Sequence, residues 1–215
     1  MDAQGAESAA ASRAWWRRVP RVLTHPVGVF EALREDDEID VEARSEPIFA
    51  IVVLAGMAGV LLAPRWGTLL DEESLDWIVI AVLTFIGGLL YGVFGYFLLG
   101  FCVWLGARGV GVDARAREAR QVVGFALLPL ALSFFITVPV TSVAFGYDWY
   151  RTGGSDSGVG RAMVVAAGLG FAAWSLSLLA VGLRARFRLP WRGVAGAIAL
   201  VAVLIAAVGV VPTVL

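Results

Sequence analysis

WIVIAVLTFIGGLLYGVFGYFLLGFCVWLGA, residues 77–107, runs for 31 positions without one charged side chain. A bilayer core takes about 20 apolar residues to cross as a helix, and lipid leaves no backbone polar group unsatisfied, so a run of this length reads as a membrane helix. At 1.5 Å per residue it measures roughly 46 Å. That exceeds one perpendicular crossing and falls short of two, which predicts a single tilted or protruding helix, with Gly87-Gly88 as the place for a bend.

Four more apolar runs flank it, at 48–63, 122–145, 162–183 and 193–211. The whole chain is 59% hydrophobic and 16% charged, with a mean hydropathy of +0.80, which excludes an ordinary soluble globular domain. The runs lack the alternating polarity of barrel strands. The fold class is therefore all-α: a polytopic membrane protein of five transmembrane helices behind a short N-terminal interfacial helix.

Charge sets the orientation. Lysine is absent and all 17 basic residues are arginine. Six precede the first run, four lie in the second loop and four in the fourth, against one, two and none in the segments between. Fourteen against three puts the N-terminus in the cytoplasm and, after five crossings, the C-terminus outside, in a multi-pass plasma-membrane protein. The basic loops face anionic inner-leaflet lipid, and without interleaved aromatics they do not suit nucleic acid.

Along the chain, residues 1–14 have no apolar pattern and read as a disordered tail. Residues 15–46 form a cytoplasmic interfacial segment and 47–215 the five-helix domain. Trp15 and Trp16 beside Arg17, Arg18 and Arg21 are the candidate membrane-interface residues, with rings at headgroup level and guanidiniums toward phosphate. Pro26 opens a short helix whose Val27, Phe30 and Leu33 make one apolar face. That helix is expected to lie on the cytoplasmic membrane surface, the alternative being that it packs under the bundle. The acidic run 35–46 reads as a solvated loop, since the ligand spacing of a calcium site is missing. The first apolar run, at 16 residues, is short, so the helix extends through Pro47 or is drawn across by Arg65.

Pro129 and Pro139 fall inside the third run and predict a bent helix. Small residues four apart, Ala55 and Gly59, Gly88 and Gly92, Ala166 and Gly170, Gly193 and Ala197, allow close helix contacts. The apolar runs contain no Asp, Glu, Lys, Arg or His, which argues against proton- or sodium-coupled transport. Cys102 is the only cysteine and reads as a packing residue, and His25 is the only histidine, so neither a zinc site nor a catalytic triad can be assembled. No cofactor, metal or catalytic residue is implied.

Arg120-Gln121 followed by Gly124-Phe125-Ala126-Leu127-Leu128-Pro129 resembles the Gly-Tyr-Ser-Leu-x-Pro segment opening the third helix of Yip1-domain proteins. Leu23-Thr24-His25-Pro26-Val27-Gly28-Val29-Phe30 resembles the Leu-x-x-Pro-x-x-x-Phe segment of prokaryotic members. Trp174-Ser175-Leu176 through Gly182-Leu183-Arg184 is similar to their fourth helix and its exit. The likeness covers about 20–211 and implies five helices with the N-terminus inside. It marks Gly124 and Pro129 as motif positions, which together with Gly88, Gly92 and Pro139, read from spacing and helix bending, are the candidate helix-packing or family-motif residues. Phe125 and Ala126 stand where the motif has Tyr and Ser, and only Pro47 of the eukaryotic Asp-Leu-x-Gly-Pro signature is present, so Rab GTPase binding is not carried over. The composition suggests a GC-rich prokaryotic genome.

The resulting reading is a non-enzymatic membrane protein of the Yip1 type that organises membrane or binds a membrane partner. Its contacts would be the lipid bilayer and a membrane-protein partner or a second copy of the chain. The alternative is a small permease for a neutral or lipidic substrate.

Overall fold

In a computed structural model the chain is described over residues 3–34, 38–62, 77–150 and 158–214, and every regular element among them is helical. In order these are α1 (Ala3–Arg18), α2 (Arg21–Thr24), α3 (Pro26–Ala32), α4 (Glu38–Leu62), α5 (Trp77–Gly109), α6 (Ala116–Ala126), α7 (Leu128–Phe145), a 3-10 turn (Gly146–Tyr150), α8 (Gly158–Phe187) and α9 (Trp191–Val214). Four stretches are long and apolar enough to cross a bilayer: Ile39–Leu61, Trp77–Gly109, Ala116–Phe145 and Gly158–Phe187. The fifth apolar run gives a shorter apolar helix, Trp191–Leu204, within α9. By length and composition the structure thus supplies four of the five expected spans.

Several expectations change at the elements themselves. Helix α1 starts at Ala3, so most of the tail expected to be disordered is helical. The acidic run is not a loop from Glu38 onward: it forms the first turns of α4, which passes straight through Pro47. A proline inside a membrane helix is tolerated because neighbours re-satisfy the freed carbonyl. Arg65 lies outside the described residues. Helix α5 is one unbroken helix of 33 residues, as its length required. The third span breaks at Leu127 (φ −76°, ψ −3°), and Pro129 falls in the first turn of α7, where its missing N–H is not needed. Pro139 stays inside α7.

The chain divides into two compact units. The first comprises Met1–Ala50, Gly95–Ala126 and Leu176–Leu215. Its core holds Val22, Phe30, Leu33, Val103, Val122, Phe125 and Leu183, none with accessible surface. A Cβ on Gly106 would come within 2.7 Å of the Ala197 Cβ, so α5 and α9 meet at almost bare backbone, and Gly193 lies 3.0 Å from Val110 by the same measure. Gly124 of α6 faces Ile48, with the Tyr96 ring 3.3 Å from where its Cβ would be.

The second unit comprises Ile51–Phe94 and Leu127–Ser175. Here α4 and α5 approach through Gly56, Gly88 and Gly92. A Cβ on Gly56 would lie 2.7 Å from Gly92 Cα and closer still to the Gly88 carbonyl, and one on Gly88 would lie 2.7 Å from Met57 Cα. Gly88 thus lies against Met57 and Gly92 against Val52 and Gly56, while a Cβ on Gly59 would come within 2.9 Å of the Tyr91 ring. Gly170 has nothing within 4 Å of its Cβ position and makes no such contact. On the open side of α5, Ile78, Leu90 and Phe94 are each about two-thirds exposed. Exposed apolar surface of this extent needs an apolar surrounding, which a bilayer supplies.

Candidate interfacial site

Consecutive residues on a helix point about 100° apart, so Trp15 and Trp16 cannot share one direction. Trp15 is fully buried and Trp16 is 41% exposed. The Trp15 ring stacks on Phe125 of α6, with centroids 5.7 Å apart, and its Nε1–H donates to the Asp40 carboxylate at 3.1 Å. The Arg18 and Arg44 guanidiniums lie 4.5 and 5.7 Å from the ring centroid, within cation–π range. Arg44, itself 1% exposed, also donates to the Leu33 carbonyl at 3.4 Å. One indole thus ties α1, α4 and α6 together and gives two buried or half-buried cations an electron-rich face. Trp16, Arg17 and Arg21 point outward and remain available to headgroups.

Helix α3 is fastened to the same body. The buried face is Val29, Phe30 and Leu33, whereas Val27, expected on that face, is 52% exposed. A Cβ on Gly182 would lie 2.9 Å from the Phe30 ring and 2.7 Å from Val122, so α3 packs on α6 and α8. Arg34 then caps α8, donating to the Ala185 carbonyl and, at 3.4 Å, to that of Arg186. A guanidinium at a helix C-terminus satisfies orphan carbonyls and meets the negative end of the helix dipole. Of the two readings of α3, these contacts favour packing under the bundle.

Glu118 closes the arrangement. It sits three residues into α6 and accepts from the Arg115 backbone N–H at 3.3 Å, half of a capping box. Its other oxygen pairs with Arg186 at 3.0 Å, both side chains about nine-tenths buried. On the neighbouring loop, Trp104 Nε1–H donates to the Ala114 carbonyl at 3.0 Å, and Arg120 covers the Phe97 ring at 4.8 Å. Sequence alone flagged Trp15, Arg18 and Arg21 but missed Asp40, Arg44, Glu118 and Arg186. The signals that point to them are the single base within the acidic run and the glutamate three residues after the start of a helix.

Among the described residues no group of three or more His, Cys, Asp and Glu side chains could hold a metal ion. The arrangement consists of cations, aromatic faces and helix caps. No curated protein and no solved structure matches the chain. A family model described as the Yip1 domain does match, over residues 21–211, spanning α2 through most of α9. With its helical membrane architecture and a match over most of its length, the chain belongs to the Yip1 family.

Proposed function

We propose that this Yip1-family protein is a non-enzymatic, five-span protein of a prokaryotic plasma membrane that organises the bilayer or holds a membrane partner. The observation carrying a scaffold rather than a conduit lies in α7. Ser133 donates to the Leu130 carbonyl at 2.6 Å, Thr137 to that of Ser133 at 2.7 Å and Thr141 to that of Thr137 at 2.8 Å. Ser133 and Thr141 are 0% and 3% exposed. Hydroxyls committed to the preceding turn of their own helix have no free donor for a passing solute. Cysteines at 133, 137 and 141 in a Cys102→Ala background are therefore expected to resist a small water-soluble thiol reagent. Graded labelling at all three, blocked by a solute, would make the permease reading the better one.

The cytoplasmic placement of the N-terminus rests on the fourteen-to-three arginine asymmetry and on the exposed Trp16, Arg17 and Arg21, which suit the inner headgroup layer. The fifth span corresponds to α9, 24 residues long, about 36 Å of helix. A reporter active only in the cytoplasm is expected to work when fused at Met1 or within 184–192 and to stay silent at Leu215. Signal at Leu215 would leave an even number of crossings and reject the five-span topology.

A further inference from the structure

Arg18 and Arg21, at the end of α1 and the start of α2, line an open surface cavity of about 520 Å³ together with His25, Gly28, Val29 and Ala32. That volume suits a small organic ligand. Three of its six lining residues carry nitrogen donors, and none carries a carboxylate. Arg18 is held in place by the Trp15 face beneath it, yet its Nη1 is buried with no hydrogen-bond partner. A buried cationic donor without an acceptor is costly, and few folded proteins leave one. The Arg21 side chain makes no ion pair or hydrogen bond among the described residues, and the only side-chain hydrogen bond of His25 there is through Nδ1, to Thr24 at 3.1 Å.

Gly28 adds an observation independent of charge. Glycine inside a helix costs about 1 kcal/mol relative to alanine. At Gly56, Gly88, Gly106 and Gly182 the cost is explained by a neighbouring helix, whereas Gly95, Gly170 and Gly196, like Gly28, have open space at the Cβ position. At Gly28 a Cβ would meet nothing within 4 Å. No protein neighbour requires glycine there. Gly28 is exposed and lines the cavity beside the two arginines.

We propose that this cavity binds a phosphate monoester, with the Arg18 and Arg21 guanidiniums and His25 Nε2 as donors and Gly28 giving the group room. A monoester carries between one and two negative charges near neutral pH and presents three acceptor oxygens, matching two cations and a third donor. A diester, with one charge and two free oxygens, matches less well. The headgroup of a phosphatidic-acid-like lipid and a soluble phosphate ester both present this chemistry. The cavity lies wholly within the N-terminal helices, so the proposal holds whether or not the scaffold reading does.

The test is calorimetric titration of the detergent-solubilised full chain with dihexanoyl phosphatidic acid, dihexanoyl phosphatidylglycerol and glycerol 3-phosphate. One site is expected, preferring phosphatidic acid to phosphatidylglycerol at least tenfold. Arg21→Gln, at an exposed position, and Arg18→Gln should each weaken it tenfold or more. Gly28→Leu should abolish binding with every charge retained, and Val27→Ala, outside the cavity lining, should leave it unchanged. Equal binding of glycerol 3-phosphate identifies a soluble ester as the source, and binding of phosphatidic acid alone identifies the lipid. Either result supports the site. Absence of binding, or binding that ignores Gly28→Leu and does not distinguish monoester from diester, overturns it, the latter as diffuse attraction to basic residues.

Discussion

Leucine in place of Gly56 is expected to eliminate the folded protein, whereas alanine in place of Gly170 is expected to be neutral or stabilising by up to about 1 kcal/mol. Both glycines sit in membrane helices of the second unit, so helix propensity alone predicts similar behaviour. What separates them is the space at Cβ. At Gly56 that atom would overlap backbone of the facing helix, with Gly92 N and Cα both at 2.7 Å, and backbone cannot rotate aside as a side chain can. Overpacking in a filled core costs about 1–3 kcal/mol where neighbours relax, and more where they do not. Here the two helices must separate, which gives up their dispersion contacts along the whole crossing. Size-exclusion profiles in mild detergent should show loss of the monodisperse peak for Gly56→Leu and an SDS-unfolding midpoint well below the parent for Gly56→Ala. A Gly56→Ala protein as resistant as the parent would mean that α4 and α5 are not in backbone contact.

Trp15→Ala should loosen the N-terminal helices without unfolding the membrane spans. Removing a fully buried large aromatic costs about 3–5 kcal/mol. Here it also takes the donor from Asp40 and the ring from Arg18 and Arg44. Arg13, Arg17, Arg18 and Arg21 make this segment a ready tryptic substrate once it opens. If cleavage follows the population of the open form, its rate should rise roughly a hundredfold or more, since about 1.4 kcal/mol corresponds to a factor of ten. Trp15→Phe, which keeps stacking on Phe125 and loses only the indole N–H, should fall between. Unchanged cleavage of Trp15→Ala would show that the indole does not hold α1 in place.

The helices were legible in the sequence because lipid imposes a local rule: each span must be long, apolar and free of charge, and the 31-residue run at 77–107 satisfies it without reference to any other part of the chain. The acidic stretch was misread for the opposite reason. Asp40 and Glu46 are held in a helix by Trp15 and Ser12, 25 and 34 residues away, and no local pattern records those partners. Spacing likewise identified Gly88 and Gly92 as contact residues. It could not select Gly56, since small residues on α4 stand on more than one face and only the crossing decides which is used. At the interfacial site the aromatic and basic residues stood out by type, whereas their division into an inward Trp15 and an outward Trp16 depended on where Phe125 lies.

The cap that Arg34 places on α8 has a consequence for how the protein is made. Its acceptors, the carbonyls of Ala185 and Arg186, lie 151 and 152 residues downstream. At about 5–20 residues per second on the ribosome, the guanidinium is synthesised roughly 8–30 s before they exist. Glu118 waits less long for Arg186 and meanwhile has the Arg115 N–H of its own helix turn. During insertion Trp15 can tie α1 to α4 and α6 early, whereas Arg34 and Phe30 wait for their contacts until α8 has been delivered. Closure of α3 on α8 reports that the fourth long helix is in place, and a nascent chain stalled before it would leave Arg34 without its carbonyl acceptors.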